Sequence, residues 1–227
     1  MLNADPFALI VLFVGLSLVP FLAMIATSYL KIVVVMSLIR NALGIQSIPP
    51  NMVINALAMI LTFYIMAPLI GESWDTLSQA MKENKPEVIY QTDLVARAAE
   101  PFRDFLERHT GDQHQAFFVR TAESLWAKEV EQPDGTLKRE PAKVDPQSYY
   151  ILIPSFCVSA LTRAFQIGFL VYLPFIAIDI IVSNILLAMG MMMVSPVTIS
   201  LPFKLLLFVM VNGWTLLIQG LVRGYAV

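Results

Sequence analysis

Charge is segregated along this chain more sharply than a water-soluble fold tolerates. Of its 227 residues, positions 71–150 hold 10 of the 15 Lys+Arg and 15 of the 17 Asp+Glu. The rest of the chain carries seven charged side chains: Asp5, Lys31, Arg40, Arg163, Asp179, Lys204 and Arg223. Hydrophobic types make up 57% and charged types 14%, against roughly half and a quarter in an ordinary soluble domain. The pattern predicts an all-α membrane protein of long apolar helical hairpins with one mostly helical, water-soluble insert. It excludes a disordered chain and argues against a plain cytosolic enzyme.

Absences narrow the function classes. Cys157 is the single cysteine, so no intrachain disulfide can form. His109 and His114 are the two histidines, and without further Cys or His nearby they read as solvated side chains, not zinc ligands. No phosphate-cradling glycine loop and no GxSxG nucleophile elbow occurs, so no cofactor, metal or catalytic set is expected. The insert is net −5 (10 cations less 15 anions), the wrong sign for reading nucleic acid. The apolar start, Met1–Tyr29, lacks a basic n-region and an A-x-A site, and reads as a retained span.

Apolar runs give the organisation. Phe7–Ala26 and Met52–Ile70 approach the ~20 residues needed to cross the hydrocarbon layer, with Pro20 and Pro68 as expected kinks. Between them, Ser28–Leu43 has a helical pattern but is short and charged for a span; Gly44 stops it, and Asn51 caps the next helix. In the insert, Asp93–Arg108 aligns Leu94, Ala98, Phe102 and Phe105/Leu106 on one stripe, and Gln113–Lys128 aligns Phe117, Phe118, Leu125 and Trp126. Both predict amphipathic helices packing on each other or on a partner. Glu131–Pro146, with its prolines and Gly135, reads as a loop. Tyr149–Ala160 leads into Ile167–Met189 and Thr198–Val222, two spans joined by Gly190–Val197. Three regions result: 1–70 apolar and helical, 71–150 the charged insert, and 151–227 an apolar hairpin region. Lys31, Arg40 and Lys204 lie near short connectors, which places those connectors in the cytoplasm and both termini and the insert outside.

Asp179 and Lys204 stand among apolar residues in the two arms of the last hairpin. An isolated charge at the bilayer centre costs at least ~2.5–3.5 kcal/mol, so each needs a partner or water. A turn centred near Pro196 puts them at unequal depths; one centred near Met191 brings them level. A bridge fixing helix register, within or between subunits, is preferred to a proton relay, which would show more ionisable groups. Met189, Met191, Met192 and Met193 crowd the connector around Gly190. They are either helix-end packing or, if several copies surround an axis, an adaptable apolar plug.

These segments also carry a resemblance. AFQIGF, YLPF-x-x-ID, MGMMM-x-x-P, LPFKL and the following GW within residues 161–222 resemble the C-terminal half of the FliP/SctR-type export-gate proteins of type III secretion. Thr27–Pro50 through Phe63–Pro68 (TSY-x-K-I, LIRNALG, PPN, LTF-x-IM-x-P) resembles the N-terminal half. Residues 71–150 match loosely, and Asn212 stands where the family usually has Asp before Gly-Trp. The retained N-terminus is similar to the injectisome branch more than to the flagellar one.

The resemblance implies a homo-oligomer of several helically arranged copies with FliQ/SctS-type and FliR/SctT-type partner subunits and further export-apparatus proteins. Together they would form a pore through which unfolded protein substrates leave the cytoplasm. It also implies an inner-membrane location with the assembly projecting to the periplasmic side. Met191, Met192 and Met193 would be its constriction, or gasket, and Asp179 and Lys204 its intramembrane charged pair. The competing reading from the residues is a secondary transporter or proton channel using Asp179 and Lys204, which would be expected to show internal repeats and a polar midplane path.

Overall fold

The computed structural model describes residues 6–45, 48–82, 92–131, 137–191 and 193–225. Eight helices carry these residues: α1 Pro6–Ile25, α2 Tyr29–Ala42, α3 Asn51–Lys82, α4 Thr92–His109, α5 Asp112–Leu125, α6 Tyr149–Ala188, α7 Pro196–Met210 and α8 Gly213–Arg223. A short hairpin, β1 Lys128–Glu131 and β2 Leu137–Glu140, lies between α5 and α6. Two helices, Asn51–Gln79 and Tyr149–Ala188, are long and apolar enough to cross a membrane, and up to four spans result if each bent helix pair counts as one. At 40 residues, α6 is about 60 Å long, twice the ~30 Å of a hydrocarbon core.

Details of the secondary structure differ from the sequence reading. The segment read as a loop, Glu131–Pro146, contains β2, whose register with β1 pairs Lys128 with Glu140 and Glu129 with Arg139. Opposite charges directly across a ladder favour such pairing. The lead-in Tyr149–Ala160 is not a separate segment: α6 runs unbroken through Pro154 and Pro174. The last span is broken, since α7 and α8 meet at a 60° bend, where Asn212 adopts a left-handed φ of 51°. Asparagine is among the few residues that tolerate this conformation, and it ends α7 where hydropathy alone runs straight on.

The chain forms two compact units, Met1–Thr27 with Met66–Ala160, and Ser28–Ile65 with Leu161–Val227. In the first, Leu94, Phe105 and Leu106 of α4 are buried with Ile151, Leu152 and Phe156 of α6, and the Phe105 and Phe156 rings lie 5.7 Å apart. The Gly111 N–H that opens α5 donates to Ser159 Oγ at 2.9 Å. His109 is buried, stacked 4.5 Å from Phe105, with Nδ1 2.9 Å from the Phe105 carbonyl, so the solvated reading fails for it. The α5 stripe is the opposite case, because Phe117, Leu125 and Trp126 stay exposed.

The second unit is built around α2. Ile32, Val35, Met36 and Ile39 recur at i, i+3, i+4 and i+7, and all are fully buried with Ala42, Leu43, Ala164, Phe175, Phe208 and Leu221. That spacing is the apolar stripe of a core-facing helix. Gly168 lets α6 approach α2 closely: a Cβ there would sit 2.3 Å from Leu38 Cδ1. The helix that looked too short to span is the centre of this unit.

Candidate functional site

Asp179 and Lys204 meet within the second unit. Lys204 Nζ donates to Asp179 Oδ2 at 2.6 Å, and Ser200 Oγ lies 2.5 Å from Asp179 Oδ1. Ser200 is four residues before Lys204 and so shares its face of α7; it is fully buried, and the Lys204 side chain is 4% exposed against 30% for Asp179. Lys204 Nζ also donates to the Ala42 carbonyl at 3.2 Å. Ala42 ends α2, where carbonyls lack intrahelical partners and the helix dipole presents its negative end. The ammonium therefore caps α2 while it neutralises Asp179, joining α2, α6 and α7 at one point.

Chain geometry explains how the arms level. The connector between α6 and α7 covers residues 189–195, so its midpoint falls near Met191 and Met192, the position that brings the two charges to one depth. At its start the Gly190 N–H donates to the Leu187 carbonyl at 3.0 Å and the Met191 N–H to the Leu186 carbonyl at 2.9 Å. Gly190 has φ +70°. This pairing of bonds is a Schellman cap, in which glycine takes the left-handed position without a Cβ penalty. At the other end, Ser195 is extended and Pro196 opens α7 at its first position, where its missing N–H costs nothing. Met189 and Met191 are 58% and 44% exposed, and Met193 is fully exposed; Met192 lies outside the described residues.

Sequence reasoning missed two participants. Ser200 was detectable through its i, i+4 relation to Lys204. The Ala42 carbonyl carries no side-chain signal, since only the tertiary packing of α2 brings it there. Among the described residues no other charged group bonds Asp179 or Lys204, and no cluster of three potential metal ligands forms. Both carboxylate oxygens are engaged and the ammonium bridges two acceptors. The arrangement ties α2, α6 and α7 together through one ammonium and one carboxylate.

Comparison with known proteins finds relatives over nearly the whole chain. The model of the FliP family matches residues 12–221. The chain is 48% identical over 221 residues to the Yop proteins translocation protein R of Yersinia pestis, covering 97% of each chain. It is 43% identical over 226 residues to the hypersensitivity response secretion protein HrcR of Ralstonia nicotianae, covering 99% of this chain and all of the relative. With the flagellar biosynthetic protein FliP of Pectobacterium carotovorum it shares 40% over 216 residues, covering 95% of this chain and 77% of the relative. The chain belongs to the FliP family.

Proposed function

We propose that the chain is a core structural subunit of a type III secretion export gate of the injectisome branch, with no catalysis of its own. Several copies, together with FliQ/SctS-type and FliR/SctT-type subunits, form the pore through which unfolded substrate proteins leave the cytoplasm. The assembly sits at the inner membrane and projects to the periplasmic side. Met191, Met192 and Met193 from each copy line its constriction, and the Asp179–Lys204 pair holds the hairpin that presents them.

The observation that carries this reading is the closed Asp179–Ser200–Lys204–Ala42 set. A transporter or proton channel requires its buried carboxylate to exchange protons or ions along a path; here the carboxylate is satisfied by an ammonium and a hydroxyl. Broad apolar exposure on α6 and α7, including Phe165, Phe169, Ile181 and Phe203, supports burial against neighbours or lipid. The test is extraction of the tagged chain in mild detergent, followed by sizing and mass spectrometry. A gate subunit emerges as a large multimer with two small apolar proteins. Recovery of the chain alone, in a form that transports an ion in vesicles, would overturn the proposal.

A further inference from the structure

The second unit contains five cations, Lys31, Arg40, Arg163, Lys204 and Arg223, and a single acid, Asp179. Lys204 consumes that acid. Lys31, in the first turn of α2, is 4% exposed, and among the described residues it makes neither an ion pair nor a hydrogen bond. Its Nζ sits 3.4 Å over the centre of the Tyr225 ring, a cation–π contact that offsets only part of the desolvation of a buried ammonium. Arg163 on α6 adds like-charge repulsion. Among the described residues, Lys31 and Arg163 thus stand close together at one end of the unit without a counter-charge.

An apolar groove begins beside them. It has a volume of about 610 Å³ and is lined by Ile39, Ile167, Phe175, Leu217, Gly220 and Leu221 among others, within the ~300–1,000 Å³ usual for ligand sites. Ile167 is one turn beyond Arg163 on α6. Gly220 is one turn before Gly224, where a Cβ would lie 3.5 Å from Lys31 Nζ. The cations therefore stand about 6 Å of helix from the groove lining.

We infer that this juxtaposition is a binding site for an anionic phospholipid, with its phosphate at Lys31 and Arg163 and an acyl chain in the groove between α6, α7 and α8. One molecule then meets both needs, whereas a carboxylate from a protein partner or a free phosphate supplies the charge and leaves the groove empty. Basic pockets between membrane helices take lipid headgroups for the same electrostatic reason. The inference stands apart from the export-gate reading, because it concerns the isolated chain and is tested without secretion.

The experiment uses the full-length chain in a neutral detergent, with thermal midpoints and bound lipid read by native mass spectrometry. Probes are phosphatidylglycerol, phosphatidylcholine of the same acyl chains, short-chain phosphatidylglycerol and inorganic phosphate. Phosphatidylglycerol is expected to raise the midpoint and remain bound, and phosphatidylcholine to do neither. Lys31→Gln, and independently the half-buried Arg163→Gln, should weaken phosphatidylglycerol binding at least tenfold and threefold respectively. Gly220→Leu, which enters open space, should weaken the long-chain lipid and spare the short-chain one. Equal binding of the two headgroups overturns the site. Inorganic phosphate matching the lipid reduces it to an anion site. Indifference of long-chain binding to Gly220→Leu removes the groove from it. Unchanged lipid binding in Lys31→Gln removes Lys31 from the site and overturns the inference.

Discussion

Asp179→Ala should destabilise the second unit more than Lys204→Met does, and the two together should cost less than either alone. Removing Asp179 strips the ammonium of its 2.6 Å partner and leaves it the Ala42 carbonyl at 3.2 Å. Removing one member of a buried pair costs ~3–5 kcal/mol; the residual acceptor brings the expectation to about 2–3 kcal/mol. Lys204→Met instead leaves a carboxylate with 30% exposure and its bond from Ser200, which points to about 1–2 kcal/mol. The double variant removes both charges, and replacing a buried pair by apolar groups is often neutral, so about 0–1 kcal/mol is expected. Ser200 keeps the Val197 carbonyl at 3.2 Å as an alternative acceptor, so it adds no orphan. The charge swap Asp179→Lys with Lys204→Asp should recover less than the neutral double, since it sets a carboxylate against the negative end of α2. Trp214, edge-on to Phe208 at 5.4 Å, reports on this unit when Trp74 and Trp126 are replaced by Phe. Detergent-micelle unfolding followed by its fluorescence gives the cycle. Simple additivity of the two single losses would refute the coupling.

Replacing Met191, Met192 and Met193 together by Ala should leave assembly intact and raise small-solute permeability, whereas Phe or Ile replacements should keep the seal and slow export; paired permeability and secretion measurements check both. Gly168→Ala drives a Cβ into Leu38 and should cost about 1–3 kcal/mol by overpacking, with Leu38→Ala restoring much of it in the same unfolding assay. Charged substitutions at the exposed Phe117, Leu125 and Trp126 should reduce recovery of the gate complex without lowering the chain's thermal midpoint. A lowered midpoint would show that the stripe serves the fold instead.

Much of this architecture is legible because burial writes a period into a helix. The Ile32–Ile39 stripe and the α4 stripe through Phe105 and Leu106 both follow it, and both are buried. Hydropathy fails where one residue decides the backbone: Asn212 bends the chain at a position flanked on both sides by apolar runs, though the Asn-Gly dipeptide was a turn signal in its own right. The β1–β2 hairpin escaped for another reason, since strands of four residues are too short to establish alternation against a background of charge. For the candidate site, the charged pair was visible as two anomalies in apolar surroundings. Its third contact, a helix-end carbonyl, belongs to the backbone and becomes visible only when α2 is packed. His109 shows the same limit, because a ring buried against Phe105 is indistinguishable in sequence from one in water.

The Schellman cap at Gly190 and the proline start at Pro196 set a tether length. With α6 sealed through its last carbonyls and Asp179 holding Lys204 across the hairpin, the stretch between the two anchors runs from Met191 to Ser195. A chain advances at most ~3.6 Å per residue, so about six steps give a contour near 20 Å. Because the segment must go out and come back, its apex can travel no more than about 10 Å, half that contour. Any larger displacement of Met193 requires the cap to unwind or the ion pair to part. Weakening either one should therefore lengthen the reach open to Met193 before it unfolds the unit.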